Sequence, residues 1–260
     1  VTMCFRKHHV STELQQLVKN YIRKQTHRIG SHSRHQYEEI DDFLNAVPVR
    51  MKRQVLAEMR EQYVSVNPAF AALLYDCPRC FERLCCDGLV PCWYLVDEQI
   101  FSSGGQCLHM HFVIEGTLTY IQYSSMLAMM KDRLEPTRKS SRFNILARQR
   151  RTSVTQDLDT GNGKEAPPTA KMNIVRKGAQ LCEPVLWTHW LHRGECCAEN
   201  QAVVFQLHTE KFESAVTSSM PQFMMKHASR FVRELNRQED RHLTDLFNSV
   251  SVFRSEAGDR

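Results

Sequence analysis

The sequence predicts an α+β protein, helical at both ends around a small antiparallel β-barrel, and three observations predict it. Leu14, Leu17, Val18, Tyr21 and Ile22 recur at helical spacing near the start. From Leu89 onward, short β-rich runs are punctuated by Gly104, Gly105 and Gly116. Short strands at such spacing with turn signals indicate an antiparallel barrel or sandwich. From Glu210 the helical spacing returns in Phe212, Ala215 and Val216, breaks at Pro221, and resumes in Phe223, Phe231, Val232 and Leu235.

Each element follows in order. Ser11 is a candidate N-cap for the first helix. A basic, His-rich connector runs from Lys24 to His35. Ile40, Phe43 and Leu44 form a short apolar face behind Glu38, Glu39, Asp41 and Asp42, acids that suit the start of a helix. Pro48 opens a further helix carrying Val49, Met51, Val55, Leu56 and Met59, since proline is tolerated in a first turn. These helices are amphipathic, so their apolar faces need the next domain or another subunit. Strands are expected at Cys92–Val96, Gln99–Phe101, His109–Ile114, Thr117–Gln122, Asn173–Val175 and Ala202–Leu207. Glu183–His192 reads as a short helix after Pro184. Residues 124–171 are rich in Arg, Lys, Ser and Thr and end in Gly161–Pro168, the pattern of a flexible basic insertion. The organisation expected is therefore helices over 1–65, a barrel with flanking helices over 66–123 and 172–247, the insertion over 124–171, and a tail over 248–260.

The bulk numbers exclude some classes. The chain has 260 residues, 42% hydrophobic and 24% charged, ordinary for a globular protein. No apolar run reaches the roughly 18–20 residues needed to span a bilayer. No signal peptide is visible, and the start at Val1 fits a fragment of a longer chain. Ten cysteines without a regular framework are expected to be reduced thiols. The net charge of +5 suits an acidic partner or anionic lipid but specifies neither.

The ordered local motifs resemble one family. Phe5-Arg6-Lys7 with Leu14 and Tyr21, the run Ile40–Val55, Asn67-Pro68-Ala69-Phe70 with Cys80-Phe81, Asp97–Phe101, Met110–Gly116 with Tyr120, and finally Ala198, Leu207 and Phe212 occur in sequence. Together they are similar to the C-linker plus cyclic-nucleotide-binding domain of hyperpolarisation-activated, cyclic-nucleotide-gated and ether-à-go-go type channels. The resemblance implies an N-terminal helical C-linker, an antiparallel β-roll (jelly-roll) of cyclic-nucleotide-binding type, and C-terminal helices. It implies no enzyme, but a tetramer assembled through residues 1–65, a pore domain in the same full-length chain, and a place on the cytoplasmic side of a membrane.

In that family a short helix after a Gly-Glu pair offers backbone N–H groups to the cyclic phosphate, and an Arg neutralises it. Here Leu181-Cys182-Glu183 keeps the Glu and replaces the Gly with Cys. Arg193 is the candidate phosphate partner, displaced by one residue, and the resemblance makes Cys182, Glu183, Arg193 and Ala198 the candidate ligand-binding residues. Glu195 brings negative charge toward an anion, a cost on the order of 1–4 kcal/mol in a partly solvated site. Trp187, His189 and Trp190 are bulky for a helix that hugs a small ligand. The expectation is a degenerate pocket, as in the ether-à-go-go type, where a similar fold works without nucleotide control. Cyclic AMP or cyclic GMP would be the ligand of an intact one, and no other cofactor is expected. Glu183 also reads as a surface acid at a helix start, Arg193 as a solvated turn residue, and the two tryptophans as packing residues.

Other chemistry finds less support. Cys77-Pro78-Arg79-Cys80, Cys85-Cys86 and Cys92 lack a second, well-separated Cys-x-x-Cys pair, and no metal is expected in the chain. No phosphate-cradling Gly-rich loop and no nucleophile motif is present. Nucleic acid is not expected, because no aromatic residues interleave the basic stretch. Arg150-Arg151-Thr152-Ser153-Val154 resembles the substrate pattern of basophilic kinases, which makes Ser153 a candidate regulatory phosphosite. Two alternatives to the channel module stay open: a soluble cyclic-nucleotide-binding regulatory protein resembling a kinase regulatory subunit, and an interaction scaffold without a ligand.

Overall fold

The computed structural model describes residues 5, 8–28, 44–123, 170–216, 222–239 and 242–250. Helix α1 (Thr12–Arg28) and helix α2 (Val49–Val64) come first. Ser11 stands before α1, and its Oγ accepts from Leu14 N at 3.4 Å, as expected of an N-cap. Its N–H and hydroxyl both reach Glu58 on α2, at 2.7 and 3.0 Å, so the cap also ties the two helices together. Leu14 and Val18 of α1 and Val55 of α2 join Phe5, Val10, Leu44 and Val47 in a separate cluster.

The far end of α2 belongs to a different core. Tyr63 and Val64 are buried with the barrel residues. Helices α3 (Pro68–Asp76) and α4 (Pro78–Arg83) follow, then a π-helical turn over Leu84–Gly88. Asn67 caps α3, its Oδ1 accepting from Ala69 N at 2.9 Å, with Pro68 in the first turn where its missing N–H costs nothing. Arg60 lies buried across this junction. It donates to the carbonyls of Cys85 and Leu89 and stands over the Phe205 ring at 5.1 Å. Arg53 forks onto Asp87 at 2.9 and 3.0 Å and reaches Glu82 at 2.9 Å.

Eight antiparallel strands form two four-stranded sheets: β1 (Leu89–Tyr94), β2 (Gln99–Phe101), β3 (His109–Glu115), β4 (Thr117–Tyr123), β5 (Ala170–Arg176), β6 (Gln180–Leu181), β7 (Gly194–Ala198) and β8 (Ala202–His208). One sheet runs β1-β8-β3-β6 and the other β2-β7-β4-β5. Pro91 places β1 at an edge, because a residue without an N–H cannot serve a central ladder. The β3–β4 turn needs Gly116: its φ is +86°, and a Cβ there would lie 2.4 Å from the Gln201 carbonyl. Between the sheets Met110, Phe112, Leu118, Tyr120, Leu181, Val204 and Leu207 are fully buried. Helices α5 (Thr209–Val216) and α6 (Gln222–Arg237) close one side through Phe212 and Phe231. No described helix is long and apolar enough to cross a membrane.

The α+β class with helices at both ends is what the sequence predicts. Strand β2 has the expected ends, and β1, β3, β4, β5 and β8 lie within three residues of theirs. Three local readings are corrected. Ala170 and Lys171, assigned to the insertion, already belong to β5 and pair with Tyr123 and Gln122. The helix expected over Glu183–His192 is one 3-10 turn, Glu183–Leu186, because its next residues are drawn into the pocket described below. Strands β6 and β7 were not expected. Gly194-Glu-Cys-Cys-Ala198 has no β-branched residue, yet pairs with β4 from Gln122 to Leu118 because small side chains fit the packed interior. The insertion over 124–169 and Ser153 within it lie outside the described residues.

Candidate functional site

The cassette between β6 and β7 lies over β4 and receives the segment His242–Val250. Cys182 opens it in the left-handed region, φ 63° and ψ 26°. That conformation is easy for Gly and costs a residue with a Cβ about 1 kcal/mol or more. Glu183 follows and turns fully inward, with no exposed surface. Its Oε2 accepts from Asn67 Nδ2 and from Ser249 N, each at 2.7 Å. Its Oε1 accepts from the Ser249 hydroxyl and from Trp187 Nε1 at 3.4 Å, with His227 Nε2 at 3.8 Å. A buried carboxylate needs this many donors to offset its lost hydration.

Asp245 is the second buried carboxylate, also with no exposed surface. Its Oδ2 accepts from the backbone N–H groups of Arg193 at 2.7 Å and Gly194 at 3.0 Å, and from the Tyr120 hydroxyl at 3.0 Å. Its Oδ1 accepts from Trp190 Nε1 at 2.7 Å. Its own carbonyl takes the Cys182 N–H at 2.7 Å, and its N–H reaches the Tyr120 oxygen at 3.2 Å. Two successive amides, an indole N–H and a phenol make an anion cradle, and the anion in it comes from the chain itself. Gly194 is required there. A Cβ would stand 2.5 Å from the Ile121 carbonyl and 2.6 Å from the Tyr120 ring.

Beside Asp245, His192 Nδ1 lies 3.5 Å from Oδ1 and 3.6 Å from Cys182 Sγ, its ring stacked on Phe101 at 4.0 Å. Burial works to lower the His192 pKa, but the contacts with Asp245 and Cys107 outweigh it and raise it to about 9. Cys107 is held below the usual thiol value by the Cys182 hydrogen bond and by His192, against its burial. Burial and then the Cys107 neighbour push Cys182 the other way. Burial, reinforced by Asp245, raises the Tyr120 phenol. His111, buried on β3, is lowered to about 3 by burial first and then by His109 and His192. These groups combine charge pairing with exclusion of water.

The residues singled out in the sequence are only partly together. Cys182 and Glu183 both lie in the buried polar cluster, against Asp245 and Ser249. Arg193 reaches Asp245 through its backbone N–H, while its guanidinium stands 5.2 Å over the Trp190 ring. Ala198 lies at the far end of β7, bonded to Glu98 and Asp97 and paired with Leu118, in the strand ladder rather than the cassette. Glu195 is half-buried on β7. Trp187 packs edge-on to Phe212 at 5.4 Å, and Trp190 both packs and donates to Asp245. Asp245, Ser249, Tyr120 and Asn67 were not foreseen. Asn67 carried a signal, the Asn-Pro start of a helix, but that spacing says nothing of a carboxylate 116 residues away. Ser249 fell in the stretch read as a tail, and it is buried.

No protein-family model matches the chain, and no curated protein matches it in sequence. Solved structures are similar at low identity. The N-terminal domain of a transcriptional regulator from Streptomyces coelicolor A3(2) is 14% identical, with a TM-score of 0.42, over 67% of this chain and 92% of its own. The sensor domain of the transcriptional regulator DNR from Pseudomonas aeruginosa is 9% identical, with a TM-score of 0.42, over 72% and 98%. A cyclic nucleotide-binding-like protein from Brucella abortus is 12% identical, with a TM-score of 0.37, over 60% and 98%. At these values the architecture rests on the strand order and register of the chain itself.

Proposed function

We propose that the chain is a non-catalytic regulatory module of cyclic-nucleotide-binding type whose pocket is filled by its own C-terminal segment. One observation carries this reading. The Asp245 carboxylate occupies an anion cradle of two backbone amides, an indole and a phenol within the cassette that the sequence resemblance assigns to a cyclic phosphate. Ser249 takes the Glu183 carboxylate, which stands where the family it resembles places a Glu on the ribose hydroxyl. A nucleotide would have to displace both contacts, and any ligand shifts such a module only by its differential affinity for the two states.

The resemblance of the N-terminal helices supports a gating and assembly module on the cytoplasmic side of a voltage-gated cation channel, with residues 1–65 as the tetramer contacts. The alternative is a regulatory protein separate from any channel. Titration calorimetry with cyclic AMP and cyclic GMP tests the pocket. The expected result is no heat for the wild-type chain. Micromolar binding that disappears in Glu183→Ala would overturn the reading. Light scattering addresses assembly: a tetramer supports the channel module, a monomer supports the separate regulator. Ser153 stays a proposed kinase site, checked by mass spectrometry after incubation with a basophilic kinase.

A further inference from the structure

We propose that Cys107, Cys182 and His192, with Asp245 as fourth donor, form a structural site for a zinc-type divalent cation that fastens the C-terminal segment into the pocket. The first three are the group of metal-competent side chains found among the described residues, with their ligand atoms all within 4.8 Å of one another. They converge from three segments: the stretch before β3, the turn after β6, and the stretch before β7. Cys107 is 3%, Cys182 0% and His192 7% exposed, so the site is closed to solvent, as structural zinc sites are.

The separations among Cys182, His192 and Asp245 fit three edges of a metal tetrahedron, and Cys107 stands within 4.8 Å of Cys182 and His192. With bonds of about 2.3 Å to sulfur, about 2.0 Å to nitrogen and about 2.1 Å to oxygen, tetrahedral ligands stand about 3.4–3.8 Å apart. Cys182 Sγ to His192 Nδ1 is 3.6 Å, His192 Nδ1 to Asp245 Oδ1 is 3.5 Å, and Cys182 Sγ to Asp245 Oδ1 is 3.8 Å. Two sulfurs, an imidazole and a carboxylate are a donor set suited to zinc. Asp245 Oδ2 keeps its backbone amides, which would orient the carboxylate, and stacking on Phe101 fixes the imidazole plane. Binding would release the thiol protons of Cys107 and Cys182 and any proton on His192 Nδ1 to solvent.

The backbone adds a separate reason. Cys182 holds a left-handed conformation that Gly would adopt without strain. A residue with a side chain persists there at a cost, and this side chain points at the other ligands. The signal was hidden in the sequence because 75 residues separate the two cysteines, and the obvious pair, Cys77 and Cys80, lies elsewhere.

Metal analysis of the 260-residue chain, expressed and purified with added zinc, tests the proposal, alongside cobalt substitution read by thiolate-to-metal charge transfer and visible d–d bands. The wild-type chain should retain close to one equivalent after desalting. Cys182→Gly should keep its fold, because Gly suits the left-handed position, and bind at least tenfold more weakly. Cys107→Ser should do the same, and Cys77→Ser/Cys80→Ser should retain the metal. Any of four results overturns the site: no metal in the wild-type chain, full retention in Cys182→Gly, loss only in the Cys77/Cys80 variant, or a Cys107–Cys182 disulfide found by peptide mapping. The site rests on the self-filled pocket, since Asp245 is its fourth donor; nucleotide calorimetry on the metal-free chain tests that pocket, and metal content tests the site, so the two failures are distinguishable.

Discussion

The two ends of the chain are held by opposite means. Helices α1 and α2 meet through Phe5, Leu14, Val18 and Val55, an apolar cluster of their own. The segment 242–250 also brings Leu243, Leu246 and Phe247 against the core. It is located, however, by Asp245 and Ser249, which satisfy groups that belong to the cassette. The first attachment is non-directional and tolerates a change of shape. The second is directional, and every donor in it is left stranded when its partner goes.

Asp245→Ala is the largest break in that comparison. It strands two amides, an indole and a phenol, and should cost about 3–5 kcal/mol in denaturant unfolding, a loss of the size seen when one partner of a buried charged network is removed. The same variant should leave the α1–α2 cluster intact, checked by hydrogen exchange in α1. Acid should act next, and on the polar region. The folded pKa of His111, about 3, lies below its unfolded value of about 6.5. The unfolded chain then takes up the proton first, so stability falls as pH drops from about 6.5 toward 3, at up to roughly 1.4 kcal/mol per pH unit. His111→Leu should flatten that slope in unfolding curves at stepped pH. Leu14→Ala tests the apolar end. It should cost about 2–3 kcal/mol, with exchange protection lost in α1 and kept in the cassette. Arg53→Ala comes last. Its partly exposed fork to Asp87 and Glu82 should be worth about 0.5–1 kcal/mol, readable as a small, salt-dependent shift of the denaturant midpoint.

What the sequence made legible follows the same division. Periodic apolar positions such as Leu14 and Val18, or Met110 and Phe112, report burial against a neighbouring element, and their helices and strands could be read directly. Glu183 stood out because the sequence around it resembles a Gly-Glu pair of one family. Its real partners did not, since Asn67, His227 and Ser249 come from three other segments with no local pattern to link them. The 3-10 turn at Glu183–Leu186 was overread as a longer helix for the same reason. Tertiary contacts of Trp190, His192 and Arg193 with Asp245 decide that stretch, and propensity does not see them. Strand β7 was missed because its small residues answer to packing and not to strand preference.

Asn67 joins the start of α3 to the cassette in one side chain. Its Oδ1 stops the first turn of α3 from fraying, while its Nδ2 holds Glu183 at 2.7 Å and Gln180 at 3.2 Å. An occupant that pulled Glu183 away would free that amide to rotate, and the helix start would feel it. An N-cap is worth about 1 kcal/mol. A lever of that size moves a two-state equilibrium by about fivefold and no more. Transmission through this amide alone is therefore a dimmer rather than a latch, and an all-or-none response would need several such levers turned together.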